Sequence, residues 1–493
     1  MAAVLEKMVA EDKQHVAPAK PWASLTKKEQ AAELVFRLRD QHGEQWSQPG
    51  SCDIFSQDRM GEKNAPKSPA LQLVELGYDA VPLLIEAIED QRLSRSVGFW
   101  RDFTFSHHVL SVGDCAITIL GRIAGKDFHD YSNNRREKTD AESKAESKRL
   151  ALVWWKEFER KGEKKFLIDA ITTGQEDSPI QALKLLEKYP DAVLTVIEQG
   201  IKNAKEPSVQ TRLVGIAAQL KGDAVLPLLD TALRNQHRDV RVVAAAGLLA
   251  HGKEHGVLAM IKEWRSGPAL SKDENEPGYD LLIDFLTSTG RLDAIQAIGV
   301  DMKRWPISAR RQIIESLSDH GPGWSFMRLD SGKEIDWTSF QKAKRSAEVM
   351  DAVESLLVAS LDDTEQYSGM NYNGVSNPAI ADFIAEALAR QWNKPDQYDM
   401  AGTPFQRETQ RTQLKNTWLA KHGRPTVALP SRPVIKPIPE RQLEPLLKPI
   451  IDNKTAKQRL EATDKVLALG LPLCRVCDQL GLDLRPITPS IPK

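Results

Sequence analysis

The chain has 493 residues, with Lys plus Arg (67) against Asp plus Glu (68) for a formal charge of −1. That length exceeds the size at which one compact core keeps growing, so several domains or an elongated array is expected. Near-neutrality excludes a global electrostatic pull toward nucleic acid, four dispersed cysteines exclude a disulfide framework, and no apolar run approaches the ~20 residues of a membrane span.

In chain order, residues 1–21 read as a frayed helix and a Pro-bearing linker. They lack the uninterrupted apolar core of a secretory signal, so a soluble cytoplasmic protein is expected. Thr26 and Glu29 have capping-box spacing and open a helix that runs to about Gln41. From Gly43 to Pro69 periodicity disappears, although Trp46, Ile54 and Phe55 argue that this loop is pinned down. Leu71–Leu76 and Val81–Ile88 form the first helix pair. The next helix, Asp114–Ala124, is delayed by an insertion, Gln91–Val112, that carries Phe99, Trp100, Phe103, Phe105, His107 and His108. Thr139 and Glu142 again have capping-box spacing, ahead of a charged helix that reaches Trp154, Trp155 and Phe158. Its mixed charges read as a solvated helix face.

The most regular stretch is Asp223–Ala250, DAVLPLLDTALRNQHRDVRVVAAAGLLA. Val225, Leu226, Leu228, Leu229, Ala232 and Leu233 make one wide face of a first helix. Asn235–Asp239 is a polar turn. The second helix, from Val240, is apolar nearly all round and rich in small residues, so neighbours must cover it on several sides. Its opening recurs as DAVLTVIEQGI from Asp191 and HGVLAMIKEW from His255, a spacing of 32 residues, with a more distant copy from Asp79. A fixed period of that size is the signature of stacked helix pairs.

Through the proline in the first helix, the turn followed by Val240-Arg241 and the Ala-rich second helix, the chain resembles HEAT-like repeats over residues 69–125 and 164–266. Asn203 and Asn235 stand where that family often has aspartate, and Val209-Gln210 replaces Val-Arg. The resemblance implies an all-α, right-handed α-α superhelix of the HEAT/armadillo-like solenoid type, here with irregular loop insertions. The second helix of each pair would line the inner side.

Further helices are expected at Tyr279–Ser288, Leu292–Met302 and Ser308–Ser318, then a break at residues 321–340 in which Asp330–Lys333 can turn a hairpin. Helices resume at Ala343–Leu361 and Pro378–Trp392. Residues 83–162 and 356–423 follow the same order: an acidic-ended helix, an insertion, a helix opened by aspartate, a loop, and a helix ending in glycine. We read this as one longer module present twice. Beyond Gly423 the chain is Pro-rich and extended. Between Thr403 and Arg459 twelve Lys/Arg face four Asp/Glu. A last helix is expected at Lys454–Leu469. The domains are therefore 1–68 (cap), 69–163 (first insertion-bearing module), 164–320 (regular repeats), 321–425 (second such module) and 426–493 (basic linker and terminal helices).

No phosphate loop, dinucleotide fingerprint or nucleophile elbow occurs. His107, His108, Asp114 and His129, with Asp127 and Asp130, are the one histidine-rich grouping, without a fixed ligand spacing. The simpler reading puts Asp114 and Asp382 in the first turn of a helix, satisfying backbone donors. Cys474 and Cys477 form a lone CxxC that lacks further ligands. No catalytic residue, metal or cofactor is assigned. The expectation is a non-enzymatic scaffold that binds another protein, not nucleic acid or membrane. Trp100, Phe103, His107, His108, Gln210, Arg212 and Arg241 are its candidate contacts. Two alternatives remain open: a lyase-like or metal-dependent enzyme around His107, His108 and Asp114, since some HEAT-like proteins resemble chromophore lyases, and binding of an anionic surface or nucleic acid by residues 403–459.

Overall fold

The computed structural model describes residues 2–41, 54–55, 67–99, 107–129, 139–267, 279–300, 302–318, 344–372, 375–431 and 448. The chain divides into two compact units, Met1–Pro395 and Asp396–Lys493. The hairpin at 330–333, the helix at 454–469 and the CxxC pair all lie outside the described residues, as do Trp46, Trp100, Phe103, Phe105 and Asp130.

The first unit is built from helices. It opens with α1 (Ala2–Gln14), α2 (Lys27–Arg37), α3 (Pro69–Leu76) and α4 (Val81–Ala87). The first insertion follows, then α5 (Val112–Ala124), α6 (Asp140–Lys161) and α7 (Glu163–Thr172). The repeats continue as α8 (Ser178–Lys188), α9 (Pro190–Asn203), α10 (Pro207–Ala217), α11 (Leu226–Ala232), α12 (Arg238–Ala250) and α13 (His255–Ser266). After them come α14 (Tyr279–Ser288), α15 (Leu292–Val300), α16 (Ile307–Leu317), α17 (Ala347–Ala359) and α18 (Ile380–Gln391). The capping boxes at Thr26/Glu29 and Thr139/Glu142 are both formed, each carboxylate accepting from the cap residue's N–H at 2.7 Å.

Packing is between near neighbours. The second helices of successive pairs, α8, α10, α12, α14, α16 and α18, touch one another in turn, and α8, α10, α12, α14 and α18 also pack on the first helix beside them. This arrangement is compatible with a helical repeat fold. The physical reason is visible in α12, where Val240, Val242, Val243, Ala244, Ala245, Ala246 and Leu248 are all buried. Its small residues set how close the neighbours come: a Cβ on Gly247 would lie 2.7 Å from that of Ala218. Asn203, Gln210 and Asn235 form a neutral ladder at the turns between pairs. Asn235 Nδ2 donates to Gln210 Oε1 at 3.0 Å, Gln210 Nε2 to the Ala204 carbonyl at 2.7 Å, and Asn203 Nδ2 to the Thr172 carbonyl at 2.7 Å.

The expected irregular loops require a correction, because both insertions contain β-structure. In the first, β1 (Leu93–Phe99) pairs antiparallel with β2 (His107–Ser111). In the second, β3 (Asn371–Tyr372) pairs with β4 (Val375–Ser376). The β1 sequence, LSRSVGF, alternates Leu93, Val97 and Phe99 with Ser and Gly, but Arg95 interrupts the apolar side and the run is short.

The second unit is described mainly by α19 (Pro404–Lys421). Thr403 and Gln406 form its capping box, and Gly423 ends the turn after it with φ of 63°. Asn416 then brackets the backbone of Val427 with bonds of 2.7 and 2.8 Å, so the start of the Pro-rich segment lies along this helix.

Two substitutions test the packing by denaturant unfolding. Leu248→Ala opens a cavity in fully buried surroundings and is expected to cost ~2–5 kcal/mol. Gly113→Ala is expected to destabilise strongly, because its Cβ would lie 2.2 Å from the Ile88 carbonyl oxygen, against backbone that has no room to give.

Candidate interaction surface

The two insertions share one backbone plan at their bases. In the first, the Gly113 and Val112 amides donate to the carbonyls of Asp90 and Arg92 at 3.0 and 2.7 Å. In the second, Ala381 and Ile380 donate to those of Asp363 and Glu365 at 2.8 and 3.0 Å. The aspartates also match: Asp90 Oδ1 accepts from the Arg92 N–H at 2.9 Å, and Asp363 Oδ1 from the Glu365 N–H at 3.3 Å. Leu93 pairs with Ser111, and Gln366 with Ala379. Each following helix then opens on an aspartate that closes its own first turn. Asp114 accepts from the Ser111 N–H at 2.7 Å, and Asp382 from the Ala379 N–H at 3.0 Å. These backbone bonds correspond one to one at the bases of the two insertions.

The two modules neutralise their aspartates differently. Arg92 reaches back to Asp90, with Nε within 2.9 Å of Oδ2. In the second module position 365 is a glutamate, and the guanidinium comes from a neighbouring helix: Arg310 of α16, itself buried, bonds to both Asp363 and Glu365. Lys144 is likewise buried, donating to Ser111 Oγ at 2.8 Å and pairing with Asp114 at 3.3 Å. Asp114 is thus a helix cap with an ammonium partner. His129 pairs instead with Asp127 at 2.8 Å. Among the described residues no three His, Cys, Asp or Glu side chains come together as ligands for a metal ion.

His107 and His108 lie on β2, paired in register with Phe99 and Gly98, and their side chains are outside the described residues. On the second helices, Gln210 is held in the amide ladder. Arg241 binds the carboxylate of Glu263 and the carbonyls of Asn235 and Gln236, the latter two at 2.7 and 2.9 Å. Both residues therefore join neighbouring pairs. Arg212 stays half-buried, with Nε 3.3 Å from the Ser208 carbonyl.

Further side chains, not singled out by their spacing, cluster where α12 and α14 meet α13. Arg238 lies over the Tyr279 ring at 3.7 Å and bonds to its hydroxyl, while Tyr279 meets Trp305 and Trp305 stacks on Trp264. Burial works against the charge of Glu263, but hydrogen bonds from Arg241 and Arg238 outweigh it and hold this carboxyl below its ordinary range. For Asp239 burial wins, pushing its carboxyl up against the opposing charge of Arg238. Asp280 is also pushed up, by burial and then by the nearby Asp284 and Asp239. Further along, Arg311 of α16 lies 5.5 Å from the Tyr367 ring and 5.3 Å from Phe383, and Tyr372 packs on Phe383. The second insertion thereby folds onto the second helices. Spacing alone could not show this, because Arg311 and Tyr367 are distant in sequence.

Two measurements follow. A raised native pKa means the folded chain holds its proton more tightly than the unfolded chain, so stability falls as pH rises through that range. Asp239→Asn/Asp280→Asn is therefore expected to be more stable than wild type at neutral pH, with the difference vanishing as pH falls below about 4. Denaturation midpoints across that range check it, and a variant less stable at neutral pH contradicts it. Arg310→Ala strands buried Asp363 and is expected to cost ~3–5 kcal/mol in the same assay.

No family model matches the chain, and no curated protein and no solved structure matches it either.

Proposed function

We propose that the chain is a HEAT-like scaffold whose stacked pairs wind into a right-handed α-α superhelix. It binds a protein partner along its second helices and the insertions that flank them. The observation carrying this reading is the packing of the second insertion onto α16 and α18. Arg311, Tyr367, Met370, Tyr372 and Phe383 meet there, with Arg311 Nη1 3.2 Å from the Met370 sulfur. Arginine, tyrosine and methionine are the residue types enriched where interfaces hold their binding energy. The helical repeats to the N-terminal side then act as a spacer that sets geometry. Among the described residues no helix is long and apolar enough to cross a membrane.

Photoreactive residues at second-helix positions 208 and 280, against first-helix positions 202 and 258, test this in cells. One defined protein is expected to crosslink from 208 and 280 and not from 202 or 258. Arg311→Ala is expected to weaken that partner's binding about tenfold or more, the scale of an interface anchor. Equal yields from both faces, or none from the second helices, would sink the proposal.

A further inference from the structure

The N-terminal helix is seated the wrong way round for a helix held by hydrophobic burial. Leu5 and Val9, one turn apart on α1, are 46% and 53% exposed, while Glu11 and Asp12 are the residues that reach arginines of the rest of the unit. Asp12 makes a two-point contact with the buried Arg39, at 2.6 and 2.9 Å, and Glu11 lies 3.8 Å from Arg92. Arg39 also donates to the Met8 carbonyl at 3.2 Å, and the Leu93 N–H, the first of β1, points at the Met8 sulfur at 3.3 Å. Beneath them is Phe36, with the guanidinium carbons of Arg39 and Arg92 5.2 and 5.6 Å from its ring centre. His15 stacks on the same ring at 3.6 Å and meets Glu33 at 3.1 Å.

The seat therefore selects two consecutive carboxylates on a helix, with an unbranched apolar residue one turn earlier. What holds α1 there is chiefly ionic contact, which salt screens and which contributes modestly where a partner is half exposed. The segment joining α1 to α2 contains Pro18 and Pro21 and no helix longer than the turn Trp22–Ser24. It keeps α1 at high effective concentration without fastening it. We propose that the seat made by Arg39, Arg92 and Phe36 is a docking site for an acidic helical segment of a protein partner, kept filled in cis by α1. This does not depend on the second-helix face. The seat lies at α2 and the start of β1, so crosslinks from that face can persist while the present proposal fails, and the reverse.

The probe is a fluorescent peptide of residues 2–16, added to the full-length chain and followed by anisotropy. Glu11→Lys/Asp12→Lys in the chain is expected to release α1 and to raise peptide affinity about tenfold or more over wild type, as removal of a cis competitor does. Adding Arg39→Ala/Arg92→Ala should abolish that binding, and a peptide carrying the two lysine changes should not bind. Equal binding to the wild-type and lysine-bearing chains, equal binding of both peptides, or no binding overturns the proposal. Hydrogen exchange on the wild-type chain adds a reading that needs no variant. Amides of α1 should exchange faster as salt rises from about 0.05 to about 0.5 M while those of α12 keep their protection. Protection of α1 that salt does not move also overturns it.

Discussion

A helix that is apolar nearly all round exists only inside a stack, and α12 is such a helix. Its buried residues occupy every side, so its folding requires α10 and α14 before and after it and α11 and α13 beside it. The same requirement propagates outward, since each neighbour has its own face to cover. Where helices pack chiefly on their neighbours, stability is close to a sum of neighbour interfaces. The Asn and Gln ladder fits that logic. Neutral amides satisfy part of the turn backbone between pairs, and Arg241, paired with Glu263, takes the carbonyls of Asn235 and Gln236.

Charge does enter the interior, at places where the chain must leave the repeat. Lys144 fixes the start of α5 just after the first insertion, and Arg310 fixes the base of the second. Replacing such groups with apolar residues of equal size is often neutral for stability, so their use is better understood as specifying position. An insertion anchored at its base by directional bonds can present its outer residues in one arrangement. That arrangement is the precondition for recognition by a loop.

Much of the fold was legible in the residues. The 32-residue spacing marked the helix pairs, Thr26/Glu29 and Thr139/Glu142 marked helix starts, and the small residues of α12 marked close packing. The order of elements in residues 83–162 and 356–423 is written in the residues, whereas the matching backbone bonds at Asp90 and Asp363 are not. The strands were missed because two of them are only two residues long and β1 mixes serine, arginine and glycine. The surface was read less well. Gln210 and Arg241 looked outward by helical phase, yet long polar side chains bend toward unsatisfied carbonyls and carboxylates of the next turn. Arg311 escaped notice because its aromatic neighbours arrive from another part of the chain.

The two modules differ in one respect that bears on how the molecule assembles. Arg92 is two residues from Asp90, so the first insertion can close its base as soon as α4 and β1 meet. Arg310 is 53 residues from Asp363, and the second insertion cannot close until α16 has stacked against α18. Local contacts form early and distant ones late, because loop closure must be offset before a long-range contact contributes. The first module is thus self-sufficient at its base, whereas the second reports on completion of the stack. Since the aromatic cluster around Arg311 neighbours Arg310 on the same helix, that cluster takes its final shape only in a fully stacked chain. Coupling of this kind would keep a partially folded chain from assembling the Arg311 cluster.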